Sequence, residues 1–276
     1  MTLKRSMVVI VALVAGVFAL LPFAPRNVTA PPSVVFAQSG CTDATVSGPY
    51  AVTFLGWATP PPKTLTEGKS SAPVAAAGIA TFDGVGNWST SFTSSHNGDI
   101  TSATSVPGTY TVNSNCTGTM AGVGDFAIVI LGNGAEITGI NTDNNSTFTI
   151  EFKKQNASGC QNSTLIGNYA VTSNGFGTPP PKFTPGKPSV PTALAGLATF
   201  DGAGNSVGSF TQSDNGDISA LPSDAGTYSL NSDCTGTFTD ATTGVHFAGY
   251  VLNSGAEVFG VQTDVGTATI IDVKKQ

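Results

Sequence analysis

Arginine is almost absent from this sequence, and its two copies, Arg5 and Arg26, fall within the first 26 residues. Charge is scarce altogether: 11 Lys and Arg stand against 17 Asp and Glu, and charged residues make up 10% of the 276. Beyond Arg26 there is no guanidinium fork for bidentate recognition of phosphate or carboxylate. Nucleic acid is excluded as a partner, because phosphate binding needs clustered Lys or Arg. Histidine occurs twice, as His96 and His246, at places that do not correspond in the internal repeat described below. A histidine-based catalytic triad present in both copies is therefore excluded. G-x-S-x-G occurs once, as "GNSVG" (204–208), but no helical periodicity follows it to build a nucleophile elbow. No C-x-x-C pair occurs, which removes the sequence marks of a zinc knuckle or thiol exchange. Helical periodicity is missing too. The chain is rich instead in Gly, Thr, Ser and Asn, the composition of strands and turns.

What is present begins with a targeting segment. Lys4 and Arg5 precede the apolar run "MVVIVALVAGVFALL" (7–21), the length of a signal-peptide core. The best small-x-small cleavage site is "VFA" before Gln38, with Val35 and Ala37 at the recognition positions. Residues 1–37 thus read as a signal peptide and the chain as exported: periplasmic, extracellular or at the cell surface. An uncleaved anchor is the alternative, although 7–24 is borderline for spanning a bilayer core of about 30 Å. Cleavage leaves eight lysines, no arginine and all 17 acids, a net charge near −9.

Self-comparison shows a duplication. "CTDATVSGPYAVT" (41–53) matches "CQNSTLIGNYAVT" (160–172), and "GTYTVNSNCTGT" (108–119) matches "GTYSLNSDCTGT" (226–237). "TFDGVGN" (81–87) returns as "TFDGAGN" (199–205), and "GAEITGINTD" (134–143) as "GAEVFGVQTD" (255–264). The units are 41–155 and 160–276, joined by a linker at 156–159, and each is long enough to bury its own core. The four cysteines sit at matching places, so one disulfide per copy is expected, Cys41–Cys116 and Cys160–Cys234. Closing a loop of that length is worth about 4 kcal/mol in the chain-entropy model.

Within each copy, eight short β-like runs alternate with turn residues. In copy one they are 49–57, 75–83, 87–94, 107–113, 116–122, 125–132, 135–143 and 146–153. Such a meander escapes exposed edges by closing on itself, so the fold expected is all-β: two tandem eight-stranded antiparallel up-and-down barrels. Tandem immunoglobulin-like sandwiches are the alternative. They fit less well, since Cys41 and Cys160 precede the first strand and Trp57 and Trp88 have no tryptophan counterparts in copy two. Tyr50/Val52, Phe92, Tyr110/Val112, Ile140 and Ile150/Phe152 alternate as one face, taken as the interior. The strands at 125–132 and 246–253 are apolar on both faces, so an outer cover is expected, such as the other copy. "TFDGxGN" reads as a hairpin turn, since Asp-Gly and Gly-Asn accept positive φ cheaply. No helix follows to hold a phosphate, and one Asp with one Asn is too few for calcium. The Asn-Gly turns ending in Asp99 and Asp217 likewise lack the rest of a calcium loop. "TPPPK" opens the longest loop of each copy, a rigid spacer or a lid over a barrel mouth.

Chemistry-bearing candidates are few. Glu136 and Glu257 each follow a Gly-Ala turn and share parity with Ile140 and Val261. If that face is interior, each carboxylate points inward, near Tyr50 and Tyr110 or near Tyr169 and Tyr228, where it could fix a ligand or act as a base. The plainer reading is a glutamate bonded to backbone at the rim.

The sequence also resembles a family of exported bacterial proteins. The shared marks are G-x-Y at the first strand (Gly48/Tyr50 and Gly167/Tyr169), F-D-G-x-G-N, G-T-Y-x-x-N-x-x-C-T-G-T and G-x-E-x-x-x-x-x-T-D. The resemblance covers nearly all of both copies and implies a small barrel similar to the calycins and to allene oxide cyclase. It transfers no catalytic residues. The function expected is a non-enzymatic tandem barrel that binds a small apolar ligand or acts at the cell surface, without cofactor or metal. Two alternatives stand beside it: a cofactor-free isomerase or cyclase using an interior Glu/Tyr pair, and a structural surface or matrix protein with filled barrels. An eight-stranded barrel has room for its own side chains or for one small ligand.

Overall fold

The computed structural model describes residues 40–58, 72–144, 146–155, 158–177 and 190–276. The signal segment with its cleavage site, the linker positions 156–157 and the "TPPPK" loops lie outside the described residues. Copy one contains β1 (Ser47–Ala58), β2 (Ala72–Asp83), β3 (Asn87–His96), β4 (Asp99–Val112), β5 (Thr117–Ala121), β6 (Phe126–Leu131), β7 (Glu136–Asn141) and β8 (Ser146–Lys154). Copy two repeats them as β9 (Ile166–Gly177), β10 (Val190–Asp201), β11 (Asn205–Asp214), β12 (Asp217–Leu230), β13 (Thr235–Asp240), β14 (His246–Leu252), β15 (Glu257–Gln262) and β16 (Thr267–Lys275). Each strand pairs antiparallel with the next, β8 closes on β1 and β16 on β9, giving two closed barrels. Closure pairs each strand on both sides, although the first halves of β4 and β12 run on past the short β5 and β13. The sandwich alternative is thereby excluded.

The hairpins form for local reasons. Asp83 Oδ1 accepts the N–H groups of Val85 (2.8 Å) and Asn87 (2.9 Å), while Oδ2 accepts Asn87 Nδ2 (2.7 Å). Asp201 does the same for Ala203 and Asn205. Gly84 and Gly86, at φ +79° and +105°, supply the left-handed positions the turn needs. The asparagine and backbone donors hold both carboxyls below the usual range, Asp201 down to about 2.

One end of each barrel is plugged by the segment that precedes its first strand. The disulfides Cys41–Cys116 and Cys160–Cys234 tie that segment down, and they fit a non-reducing environment. Between cysteine and strand lies a single 3-10 turn, Asp43–Thr45 in the first barrel and Asn162–Thr164 in the second. Asp43 Oδ1 accepts from Val112 N (2.7 Å) and Asn162 Oδ1 from Leu230 N (2.9 Å). Below each plug, Val46 and Leu165 are fully buried.

The two barrels also share a core. Ala51, Ala75 and Ala77 on the outside of β1–β2 pack against Tyr250, Leu252, Phe259, Val261 and Ala268 of the second barrel. Small residues on one side let large ones approach from the other. Around this patch Gly266 N donates to Gly98 O (3.0 Å), Ser95 Oγ donates to Thr267 O, and the rings of Trp57 and Phe176 lie 4.3 Å apart. The outer apolar face of β14 is therefore covered. Its counterpart on β6 is not: Val129 and Leu131 are 42% and 40% exposed.

One face assignment is corrected. Ile140 is 58% exposed, whereas Ile137, of opposite parity on β7, is fully buried in the barrel core. In a strand a slip of one residue exchanges every inward and outward side chain. Glu136 and Glu257 accordingly stand on the outer faces of β7 and β15.

Candidate functional site

The two barrels have the same walls and different fillings. In the first, Phe82 stacks on Trp88 (5.9 Å) and meets Tyr50, Tyr110 and Phe152 edge-on at 5.1–5.6 Å. Phe54 continues this core to Phe92 and Phe126, and Met120, Ile128 and Ile150 fill between them. At the matching positions of the second barrel, Phe54 becomes Ser173, Trp88 becomes Ser206, Ile128 becomes Gly249 and Phe152 becomes Val273. Larger residues return part of the lost bulk where Ala76 becomes Leu194, Ala103 becomes Leu221 and Met120 becomes Phe238. Phe238 and Phe210 use the room that glycine leaves, lying within 2.4 Å of where a Cβ on Gly249 would stand and 2.2 Å of one on Gly208.

The net result is a cavity of about 710 Å³ in the second barrel. That is the size of sites that take a drug-sized molecule. Its floor is Phe200, behind which Tyr169 and Tyr228 pack edge-on at 5.1 Å. Phe210, Phe238, Leu194 and Ile271 line its middle. It extends to the end of the barrel opposite the plug, where Asp214 and Asp217 flank the β11–β12 turn and Asp240 ends β13.

Polar groups on this wall are unevenly satisfied. Asp214 accepts from Thr192 Oγ1 (2.7 Å) and Gln212 Nε2 (2.6 Å). Asp240 Oδ1 accepts the N–H groups of Thr242 (2.8 Å) and Thr243 (2.9 Å). Burial alone would raise the Asp240 carboxyl, but these donors and a side-chain hydrogen bond with Asp224 bring it below its ordinary value. Asp224 is pushed the other way, first by burial, which outweighs the lowering side-chain hydrogen bond with Thr242, and then by Asp240 beside it. Asp224 is 7% exposed and Thr269 3%, and both line the cavity. Asp224 Oδ1 and Thr269 Oγ1 are buried with no hydrogen-bond partner. Leaving such a group unmade costs about 1–3 kcal/mol, more when it is charged. No Lys or Arg lines the cavity among the described residues.

The six residues singled out from the sequence lie elsewhere. Tyr50 and Tyr169 donate to the carbonyls of Gly134 and Gly255, and burial pushes Tyr50 up to about 12. Tyr110 donates to Val46 O and Tyr228 to Leu165 O, both at 2.9 Å. These four hydroxyls hold the plugged ends together and do not line the cavity. Glu257 is buried between the barrels, where Oε1 meets Lys153 Nζ at 2.6 Å and Lys274 Nζ at 3.5 Å. Its repeat mate Glu136 is half-buried on β7 opposite Lys153. His246 Nδ1 lies 2.8 Å from Asp264 Oδ1 in an exposed pair. Among the described residues no three acids, histidines or cysteines converge as a metal site.

Sequence reading did not single out Asp224, Ser173, Ser206 or Thr269. The signal was there, in the positions where the two copies disagree: Val106 against Asp224, and the exchanges of bulk named above. Trp88 without a tryptophan partner was one visible instance.

No protein-family model matches the chain, and no curated protein sequence is significantly similar to it. Among solved structures it is similar to CghA with Sch210972, at 8% identity over 83% of this chain and 88% of that one. The TM-score is 0.26, too low for that likeness to carry any argument.

Proposed function

We propose that the protein is an exported, non-enzymatic binding protein in which the second barrel holds a small, largely apolar molecule and the first is a packed structural partner. The observation that carries this reading is the cavity of about 710 Å³ in a barrel whose twin, built on the same hydrogen-bonded frame, is filled by rings. Loss of core bulk ordinarily costs stability in proportion to the void left. A duplicated domain that keeps its turns, disulfide and plug while losing Phe54, Trp88 and Phe152 equivalents has traded packing for room. The two disulfides fit the export the leader segment implies.

The test is to refill the second barrel with the residues of the first. Wild-type protein should bind a neutral apolar dye such as N-phenyl-1-naphthylamine at one site with enhanced fluorescence. The Ser173→Phe/Val273→Phe variant should keep its thermal transition and lose at least tenfold in dye affinity. Unchanged affinity in that folded variant would remove the second-barrel cavity as the site.

A further inference from the structure

The chemistry of the cavity wall narrows the ligand class, and this step rests on the binding reading above. Asp224 occurs where the first barrel has Val106, so an acid has replaced an apolar side chain on an interior wall. A β-bulge presents it. The β11–β12 register shifts between Gly208 and Phe210, and Ser223 adopts φ +56°, just before Asp224. Bulges of this kind redirect a side chain beside a site. The first barrel has the same bulge, with Ser105 at φ +52°, so the bulge belongs to the shared frame and the acid to the second barrel alone.

Asp224 is more than nine-tenths buried and lines the cavity with Oδ1 unpartnered. Its neighbour Asp240 is already engaged by two backbone N–H groups. The vacant acceptor needs a donor from the ligand, and two adjacent carboxyls favour a donor that carries positive charge. Nothing cationic lines the cavity among the described residues, so a carboxylate or phosphate ligand would meet only like charge there. Asp214 and Asp217 at the mouth add to a field that attracts cations and repels anions. A metal ion is the wrong occupant, because no three ligating groups converge among the described residues.

We propose that the second barrel binds a cationic amphiphile, an amine on an apolar body, with its ammonium against Asp224 and Asp240 and its apolar part between Phe200, Phe210 and Phe238. Thr269 Oγ1 offers a second unmet polar contact on the opposite sequence half of the wall, for a hydroxyl or amide of the same molecule.

Three molecules with one apolar body and different heads decide the matter: octylamine, octanol and octanoate, each competing with bound N-phenyl-1-naphthylamine at neutral pH. Octylamine should displace the dye at a concentration at least tenfold below octanol, and octanoate should be weakest. Asp224→Asn should bring amine and alcohol within about twofold of each other, while Asp99→Asn, an exposed acid on the first barrel, should leave the preference intact. Equal displacement by amine and alcohol from wild type would overturn the proposal. So would a preference that survives in both Asp224→Asn and Asp240→Asn. If the dye binds but none of the three displaces it, the amphiphile class is wrong and the cavity reading stands. If the dye does not bind, the cavity reading itself falls and takes this proposal with it.

Discussion

The two barrels are an internal experiment in what a closed eight-stranded sheet requires. Strand order, closure, disulfide, plug and Asp-Gly hairpins are the same in both. The clearest difference is in the interior, where Phe54, Trp88, Ile128 and Phe152 give way to Ser, Ser, Gly and Val, while Ala76 and Met120 give way to Leu and Phe. The frame is therefore set by backbone pairing and by the plugged end, and it does not need the upper interior to be filled. Tyr50, Phe82, Tyr110 and their mates Tyr169, Phe200, Tyr228 are kept where the plug meets the barrel. Above that layer the side chains are free to diverge, and this is where a site can be placed at least cost.

The sharpest way to break the comparison is to give the first barrel the interior of the second. Trp88 is 3% exposed, stacks on Phe82 and donates from Nε1 to Ala121 O (3.0 Å). Trp88→Ser, which copies Ser206, should cost about 3–5 kcal/mol in urea unfolding, the range for deleting a large aromatic from a packed core. The same variant should gain a weak dye site that wild type lacks. A loss below about 1 kcal/mol would mean the first barrel is not packed around this ring.

A smaller effect separates the two outward glutamates. Glu257 is buried against Lys153, and Lys153 is raised despite the opposing pull of its own burial, because Glu257 and Glu151 face it. Glu257→Gln should destabilise by about 2 kcal/mol, short of the roughly 3–5 expected for a fully buried pair, since Lys153 keeps Glu151 at 3.2 Å. Glu136→Gln should change stability by no more than about 0.5 kcal/mol. Equal losses from the two would show that burial between the barrels does not distinguish them.

How much of this was legible in the sequence depended on how local the cause was. Turn residues, cysteine positions and the duplication gave closure and disulfide pairing. The first halves of β4 and β12, 99–106 and 217–224, escaped because Ser and Thr occupy both faces and a bulge at Ser105 and Ser223 interrupts the alternation. The facing of Glu136 and Glu257 was misread because Ile140 and Val261 are apolar and outward, Val261 serving the contact between barrels and not the barrel interior. Hydrophobic pattern tells buried from exposed. It does not tell one buried surface from another. The cavity has a different cause: it is defined by residues that fail to match between copies, and no pattern within one copy marks them.

The mildest prediction concerns the hairpins that the copies share most closely. Asp83 and Asp201 are both held below the ordinary carboxyl value by Asn87 and Asn205 and by backbone donors, with Asp201 at about 2. A depressed folded value means the stabilising contribution is fully present above the unfolded value near 3.9 and is lost as pH falls through the folded one. The window for Asp201 is therefore roughly pH 4 down to 2. Both carboxylates are solvent-exposed, so the effect belongs to the turn more than to the whole barrel. Hydrogen exchange at the amides of Ala203 and Asn205 should accelerate, relative to the trend of the other turns, only when pH drops below about 4. Asp201→Asn should flatten that response while leaving the Val85 and Asn87 amides of the first barrel unchanged. If the acid response of the second hairpin persists in Asp201→Asn, the carboxylate is not what holds the turn, and the likeness of the two hairpins rests on glycine alone.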